Sequence, residues 1–305
     1  MEFRHLVYML KVAEERSFSK AAQKLYITQP SLSQYILNLE HQLNVQLFDR
    51  TTNPIKLTYA GEIFAEKARN ILSMQKELTH QMEDIAETRR GRLNLGITPH
   101  RGTFLLPKVL PIFYRLFPQV EIKLMEGTSA ELEDWLVKGI IDLAVMALPI
   151  QSEDIAYEVI LSEELLLTLP SGHPVQARAK YNKNSLYPSI SLNWLKDEPF
   201  ILLHHGQGLR QIANEVFRKM GFTPRILLET KSLDTANALV AAGLGVTFSL
   251  ASISKFSSFP EPPMLFSLDD PVPPRILAIA FKQGTYLPRI AVDFIKITKD
   301  VFQVI

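Results

Sequence analysis

The spacing of apolar positions changes near residue 90. Residues 62–90 contain no glycine or proline. Apolar side chains recur every seven residues at Leu57, Phe64, Ile71, Leu78 and Ile85. This spacing predicts a long linker helix over 59–90 with one narrow apolar stripe, which is typical of helices that pair. A helix that packs on its own domain is the alternative. We favour pairing, because a linker has little core of its own to cover.

Beyond residue 90, short apolar runs alternate with amphipathic stretches. Runs that predict strands lie at 93–98, 120–125, 141–147, 200–204, 226–228, 245–250 and 276–281. Stretches that predict helices lie at 104–117, 130–138, 209–220, 233–242 and 290–304. Such alternation predicts mainly parallel sheets with helices on both faces. The long apolar run at 157–169 interrupts it, so we expect two α/β lobes within 91–305. Lobe I is expected at about 91–161 and 268–305, and lobe II at about 162–267.

The first 58 residues predict a small helical unit. Ser19 is a candidate N-cap for a short helix at 20–25, and Thr28 or Gln29 for a further helix that starts near Pro30. In that helix one face carries apolar residues, namely Leu32, Ile36, Leu39 and Leu43. The opposite face carries small or flat polar ones, namely Ser31, Ser33, Gln34 and Asn38. Two helices joined by a tight turn in this way are typical of a helix-turn-helix.

The polar face suits the major groove of DNA, because glutamine and asparagine can bridge the N6 and N7 atoms of adenine. The free N–H groups at the start of the helix can bind a phosphate. Residues 48–58 predict a two-stranded wing whose turn is at Asn53-Pro54. The candidate DNA-binding residues are Gln29, Pro30, Ser31, Ser33, Gln34, Asn38, Arg50, Asn53 and Lys56. A small protein-interaction domain is the alternative for this unit.

Composition and charge narrow the class of protein. Hydrophobic residues make up 47% of the chain and charged residues 21%, which indicates a folded protein. Lys and Arg total 33 and Asp and Glu total 32, so any DNA site must be local rather than a general basic coat. The absence of cysteine excludes disulfides, thiolate nucleophiles and cysteine-ligated zinc. The first ten residues lack the layout of a signal peptide, so we expect a cytoplasmic protein.

One uncharged stretch, residues 235–254, is long enough to cross a bilayer. Polar residues and glycines interrupt it. An amphipathic helix that ends at Gly243, followed by a buried strand, explains it better than a membrane span.

Ligands of two-lobed α/β proteins lie beyond the carboxyl ends of strands, where helices begin. Four predicted loops qualify. Their candidate effector-binding residues are Thr98, Pro99, His100, Thr128, Ser129, His204, Thr247 and Phe248. Hydroxyls, imidazoles and free N–H groups at such a site favour a small anion, for example a carboxylate. Arg101 is interpreted as a solvated charge, and Ser129 as a further candidate helix cap.

Five segments of the N-terminal 61 residues together resemble the signature of LysR-type transcriptional regulators. They are Phe18-Ser19-Lys20-Ala21-Ala22, Gln29-Pro30-Ser31-Leu32-Ser33-Gln34, Leu39-Glu40, Leu47-Phe48-Asp49-Arg50 and Leu57-Thr58-Tyr59-Ala60-Gly61. Asn53 departs from the pattern, because the family often has a second basic residue there. That departure predicts weaker phosphate contact by the wing.

The resemblance implies a winged helix-turn-helix, a linker helix and a two-lobed α/β domain similar to periplasmic binding proteins. It also implies a homodimer that pairs through the linker helices, commonly assembled into a homotetramer. Such a protein binds an interrupted inverted repeat of double-stranded DNA at a promoter. It responds to a small organic effector between the lobes, without a cofactor, and RNA polymerase would be a further partner.

Two other classes of protein remain as alternatives. One is a solute-binding module with a helical adaptor, and the other is an α/β enzyme with an N-terminal interaction domain. The chain has no Gly-x-Ser-x-Gly nucleophile elbow and no phosphate-binding Gly-x-x-x-x-Gly-Lys motif. Among its histidines only the adjacent pair His204-His205 comes near to metal-ligand spacing. We therefore expect no catalytic and no metal site.

Overall fold

A computed structural model describes residues 2–85, 90–181, 186–221, 223–251, 259, 261–270 and 272–303. The chain divides into two compact units, Met1–Thr88 and Arg89–Ile305. Over the described ranges, no helix combines the length and the apolar character needed to cross a membrane. The uncharged stretch at 235–254 instead contributes most of one helix and a buried strand, and its residues 252–254 lie outside the described residues.

The N-terminal unit is a winged helix-turn-helix. Its elements are α1 (Phe3–Glu15), α2 (Phe18–Lys24), α3 (Gln29–Leu43), β1 (Phe48–Asp49), β2 (Lys56–Leu57) and α4 (Tyr59–Ile85). The predicted cap of α2 was wrong: Ser17 caps the helix, because its Oγ accepts from the amide of Lys20 at 3.4 Å. Thr28 caps α3, where its Oγ1 accepts from the amide of Ser31 at 3.4 Å. The two strands pair antiparallel and form the wing.

Helix α4 carries the stripe of seven-residue spacing, but only part of that stripe is exposed. Phe64 is half-buried and packs against the core of the N-terminal unit, and its part in pairing stays a prediction. Exposed apolar side chains follow at Ile71, Met74 (69% exposed), Leu78 (57% exposed) and Met82. The side chain of Ile85 lies outside the described residues.

The end of the predicted linker helix also differs. Residues 86–89 lie outside the described part of the chain, and Arg90 begins a strand rather than completing the last turn of a helix.

Lobe I of the C-terminal unit is built on a five-stranded sheet. Its strands are β3 (Arg90–Ile97), β4 (Gln119–Glu126), β5 (Leu143–Ala147), β6 (Ile155–Glu163) and β13 (Arg275–Lys282). The order is β4-β3-β5-β13-β6, with β3 parallel to its neighbours and β13 antiparallel to both of its own. The helices of this lobe are α5 (Pro99–Leu116), α6 (Ser129–Val137) and α9 (Arg289–Gln303). Both α5 and α9 pack on the main core of the lobe.

Lobe II contains two smaller sheets. Its strands are β7 (Leu165–Leu169), β8 (Ser189–Ile190), β9 (Pro199–Leu203), β10 (Arg225–Thr230), β11 (Thr247–Leu250) and β12 (Met264–Leu268), and its helices are α7 (Gly208–Met220) and α8 (Leu233–Ala241). The order of the larger sheet is β11-β7-β12-β8, and β7 is antiparallel to both of its neighbours. Among the described strands, β9 and β10 pair in parallel, as do β12 and β8, and an isolated parallel bridge joins Phe200 to Val246.

Both lobes therefore combine parallel and antiparallel pairs, and the expectation of mainly parallel sheets is wrong for both. Apolar runs reveal where strands lie, but they carry no information on strand direction.

Candidate functional site

The polar face of α3 is open. Gln29, Pro30, Ser31, Gln34 and Asn38 are exposed, and Ser33 is half-buried. Gln34 Nε2 donates to Asn38 Oδ1 at 2.9 Å, one helical turn apart. This hydrogen bond orders two amide side chains on the surface that the sequence assigns to the groove. Within the described N-terminal residues, this face is therefore accessible at five of its six candidate positions.

A buried carboxylate anchors the wing to α3. Glu40, only 7% exposed, accepts at Oε1 from the amides of Leu47 (2.8 Å) and Phe48 (3.2 Å). Its Oε2 accepts from Arg50 Nη2 at 2.9 Å, and the guanidinium of Arg50 also lies 5.2 Å from the centroid of the Phe18 ring. Glu40 therefore fixes the first wing strand. Sequence reasoning missed this role, although Glu40 stood within one of the quoted motifs.

The contacts of Arg50 change its expected part in DNA binding. The ion pair with Glu40 neutralises part of the charge of Arg50, which leaves less of it for a phosphate. Lys56 and Asn53, in contrast, are exposed. The turn of the wing is ordered by Asp49, whose Oδ1 accepts from the hydroxyl (2.6 Å) and the amide (2.9 Å) of Thr51. These hydrogen bonds from Thr51, led by the one from its hydroxyl, lower the pKa of Asp49. Direct contact of the wing with phosphate stays a prediction.

The first predicted effector loop is a helix. Helix α5 begins at Pro99, immediately after Thr98, so His100 lies in its first turn. His100 Nδ1 is 3.6 Å from Asp234 Oδ1, at the start of α8. The polar contact with the imidazole holds the pKa of Asp234 below its usual range, while burial acts in the opposite direction. Proline at the first position of a helix costs no hydrogen bond, and that is why the helix extends to Pro99.

Thr128, not Ser129, caps α6. Its Oγ1 accepts from the amide of Glu131 at 3.3 Å, and Glu131 Oε2 accepts in return from the amide and the hydroxyl of Thr128, both at 2.8 Å. These bonds to Thr128 lower the pKa of Glu131. The reciprocal pair is a capping box, and it engages the hydroxyl that the sequence assigned to a ligand.

The loop after β9 is held by backbone hydrogen bonds, and the side chain of His204 is exposed. The amide of His204 donates to the carbonyl of Thr230 at 3.0 Å and to Gln207 Oε1 at 3.1 Å. A buried arginine supports this loop from below: Arg210 donates to the carbonyl of Leu203 at 2.7 Å and forms an ion pair with Glu229. Its hydrogen bond lowers the pKa of Glu229.

Thr247 and Phe248 are buried, which corrects their assignment to an effector site. Thr247 donates its hydroxyl to the carbonyl of Ile201 at 2.6 Å, and Phe248 packs in the core of lobe II. Strand β11 pairs with β7 on one side, and residue Val246 bridges to Phe200 of β9 on the other. All four residues of β11 are buried, and the core of lobe II covers Phe248.

The expectation that Arg101 is a solvated charge is also wrong. Arg101 is only 3% exposed. Its Nη2 forms an ion pair with Oε1 of Glu163, which is itself only 5% exposed. Arg275 is the register partner of Glu163 in the neighbouring strand. Burial, followed by repulsion from Arg101, lowers the pKa of Arg275 to about 10, while Glu163 acts in the opposite direction.

Two family models match the chain. The model described as "Bacterial regulatory helix-turn-helix protein, lysR family" matches residues 3–62, and "LysR substrate binding domain" matches residues 86–303. The chain belongs to the LysR family. It is a DNA-binding transcriptional regulator with a substrate-binding domain, and its relatives are regulators rather than enzymes.

One relative of this LysR-family regulator is the uncharacterised regulator YcgK of Bacillus subtilis, 31% identical over 98% of this chain and 94% of the relative. A cysteine-to-aspartate variant of full-length OxyR from Pseudomonas aeruginosa matches with a TM-score of 0.73 and 27% identity, over 100% of this chain and 95% of that one. CbnR in complex with its target DNA shares the fold, with a TM-score of 0.64 and 24% identity over 99% of this chain and 100% of that one.

The chain contains no cysteine, so none of its 305 residues offers a thiol at the position substituted in that OxyR variant.

Proposed function

We propose that this LysR-family regulator binds an interrupted inverted repeat at a promoter as a homodimer or homotetramer, and that a small organic anion between its lobes controls it without a cofactor. We expect it to work in the cytoplasm, because the helix-turn-helix model that it matches describes bacterial regulators. One observation carries the DNA-binding half of the proposal: the open polar face of α3 stands beside a wing that Glu40 fixes in place.

Base recognition would come from the ordered amide pair. The hydrogen bond between Gln34 and Asn38 leaves Gln34 Oε1 and the Nδ2 group of Asn38 outside that bond. An acceptor and a donor presented together match the N6 amino group and N7 atom of adenine. Ser31 and Ser33 are small enough to let α3 approach the base edges. The fold is shared with CbnR, which has been solved with its target DNA.

Fluorescence anisotropy with labelled promoter fragments from neighbouring genes tests this. We expect affinity that falls steeply with salt and depends on sequence. The double variant S33A/Q34A should lose sequence selectivity, whereas Q75A, which removes an exposed glutamine from α4, should bind as the wild type does. Equal affinity for promoter and random fragments at all salt concentrations would refute the proposal.

Self-association would use the exposed apolar side chains of α4. Ile71, Met74, Leu78 and Met82 are exposed in the single chain, and they follow one face of the helix at spacings of three and four residues. A second copy of the same helix offers a matching apolar face.

The effector would bind where α5 and the loop at His204 meet the ends of their strands. Six of the predicted effector residues remain at the ends of elements, and none of the six is fully buried: Thr98, Pro99, His100, Thr128, Ser129 and His204. A thermal-shift screen of the full chain against small organic acids tests this half. A ligand at 100 times its dissociation constant stabilises the folded state by about 2.7 kcal/mol. If neutral compounds stabilise the protein and acids do not, the anionic class is wrong.

A further inference from the structure

Two arginines and one glutamate meet where the chain passes between the lobes. Glu163 ends β6 and Arg275 begins β13, and the two are opposite each other in neighbouring antiparallel strands. Arg101, in the first turn of α5, forms an ion pair with Glu163. The chain enters lobe II immediately after Glu163 and has returned to lobe I by Arg275. The cluster therefore lies at both connections between the lobes.

The charges of this cluster do not balance. With its pKa near 10, Arg275 is still protonated at neutral pH, so two cations face one carboxylate. Nη1 of Arg101 and both Nε and Nη1 of Arg275 are buried, and among the described residues none of them has a hydrogen-bond partner. Both carboxylate oxygens of Glu163 are likewise buried without a hydrogen-bond partner among the described residues. One carboxylate therefore compensates the two guanidiniums only in part, and the remaining desolvation is costly.

A glycine, Gly208, lets the backbone approach the guanidinium of Arg275 closely. Gly208 begins α7, and a Cβ at that position would lie 2.5 Å from Arg275 Nη2. Any other residue would displace the end of the arginine side chain. The amide groups at the start of this 13-residue helix also favour negative charge.

We propose that the three unpaired donors of Arg101 and Arg275 bind the acidic group of the effector, a carboxylate or a tetrahedral oxoanion, and that Glu163 is its internal competitor. This inference rests on the proposed function, because it identifies the chemistry of the effector in the same domain. Guanidinium groups bind such anions through planar, bidentate hydrogen bonds. An added anion with a single negative charge would bring the cluster from a net charge of +1 to neutral.

Binding would also be coupled to the arrangement of the lobes. The three donor atoms are covered in this structure, so an anion reaches them only after the two connections separate slightly. A ligand that binds one arrangement better than another shifts the population towards it. The position of the cluster thus gives the anion a route to change the relative placement of the lobes.

Thermal unfolding and calorimetric titration of the full chain test the inference. The probes are sodium acetate, succinate, sulfate and phosphate, each compared with sodium chloride at the same ionic strength. We expect at least one oxyanion to raise the melting temperature above that in chloride. A response to acetate or succinate indicates a carboxylate effector, and a response limited to sulfate or phosphate indicates a tetrahedral oxoanion.

Three variants separate a binding cluster from a merely structural one. R275M keeps the Arg101–Glu163 pair; it should melt higher than wild type in chloride and lose the response to the oxyanion. E163Q removes the competing carboxylate and should bind the anion about tenfold more tightly or better. R115Q removes an exposed arginine from the same helix as Arg101 and should respond as the wild type does.

The inference fails if no oxyanion differs from chloride, if R275M keeps the response, or if E163Q binds more weakly than wild type. Promoter binding by the wild-type protein in chloride is measured in parallel. Normal DNA binding without any response to anions overturns this inference alone, whereas absent DNA binding overturns the proposed function.

Discussion

Replacing Glu40 by alanine should loosen the wing and weaken DNA binding together. The substitution removes an acceptor from three hydrogen bonds, two of them from the amides of Leu47 and Phe48, whose side chains are buried. A buried N–H left without a partner costs about 1–3 kcal/mol. Arg50 is one-third exposed and regains water, so it adds little. We therefore expect a loss of about 3 kcal/mol, which lowers the melting temperature of a unit this small by about 10 °C or more.

Differential scanning calorimetry of the full chain and hydrogen exchange at the amides of Leu47 and Phe48 measure this effect. The matched control is Glu14→Ala. Its carboxylate pairs with Lys11 in an exposed i,i+3 ion pair, so we expect a change within about 0.5 kcal/mol. Promoter affinity should fall for the Glu40 variant and stay unchanged for the control. If Glu40→Ala has the same melting temperature as the control, and the amides of Leu47 and Phe48 exchange no faster than in the wild type, Glu40 does not anchor the wing.

Three further predictions concern pairing, pH and backbone packing. Leu78→Asp places a charge in the exposed stripe and should weaken self-association by at least about tenfold in sedimentation velocity, whereas Ser73→Asp, on the far side of α4, should not. Asp234 has a lowered pKa in the folded state, so its stabilisation is complete above its ordinary value of 3.8 and is lost as the pH falls through the lower, folded value. The difference in melting temperature between wild type and Asp234→Asn should accordingly vanish in acid, and a constant difference would contradict the assignment. Gly61→Ala puts a Cβ 2.0 Å from a backbone carbonyl oxygen and should destabilise by about 1–3 kcal/mol, whereas Gly102→Ala meets nothing within 3.6 Å in a helix and should stabilise slightly in urea unfolding.

Local patterns predicted the elements of the N-terminal unit well, because short helices that share one core depend on nearby residues. The apolar face of α3 and its cap at Thr28 are contacts between positions a few residues apart. The cap of α2 was misplaced by two residues, since Ser17 and Ser19 offer the same hydroxyl and only the backbone conformation separates them. The sequence also located the apolar stripe of α4. It could not show which residues of the stripe pack against the core, as Phe64 does, and which are exposed to solvent.

The effector side was predicted less well, because its burial depends on pairings between distant segments. Thr247 follows an amphipathic helix and a glycine turn, which made it a reasonable residue for a loop-end site. It is buried because β11 pairs with β7, some 80 residues earlier in the chain. Nothing within the local pattern around residue 247 contains that pairing.

Pairing between distant segments also buries charges together, as the cluster of Arg101, Glu163 and Arg275 shows. Each residue looks like an ordinary surface charge in its own segment, and each lies in a different element of the fold. The register between β6 and β13 brings Glu163 and Arg275 together, and α5 adds a second guanidinium, so the excess charge is a property of the folded lobe alone. A fold that only required stability would gain from an apolar residue at position 275, because an unpaired buried cation opposes folding. Retaining an arginine there is physically reasonable if an anion completes the cluster, and the higher melting temperature expected for R275M is the direct measure of that cost.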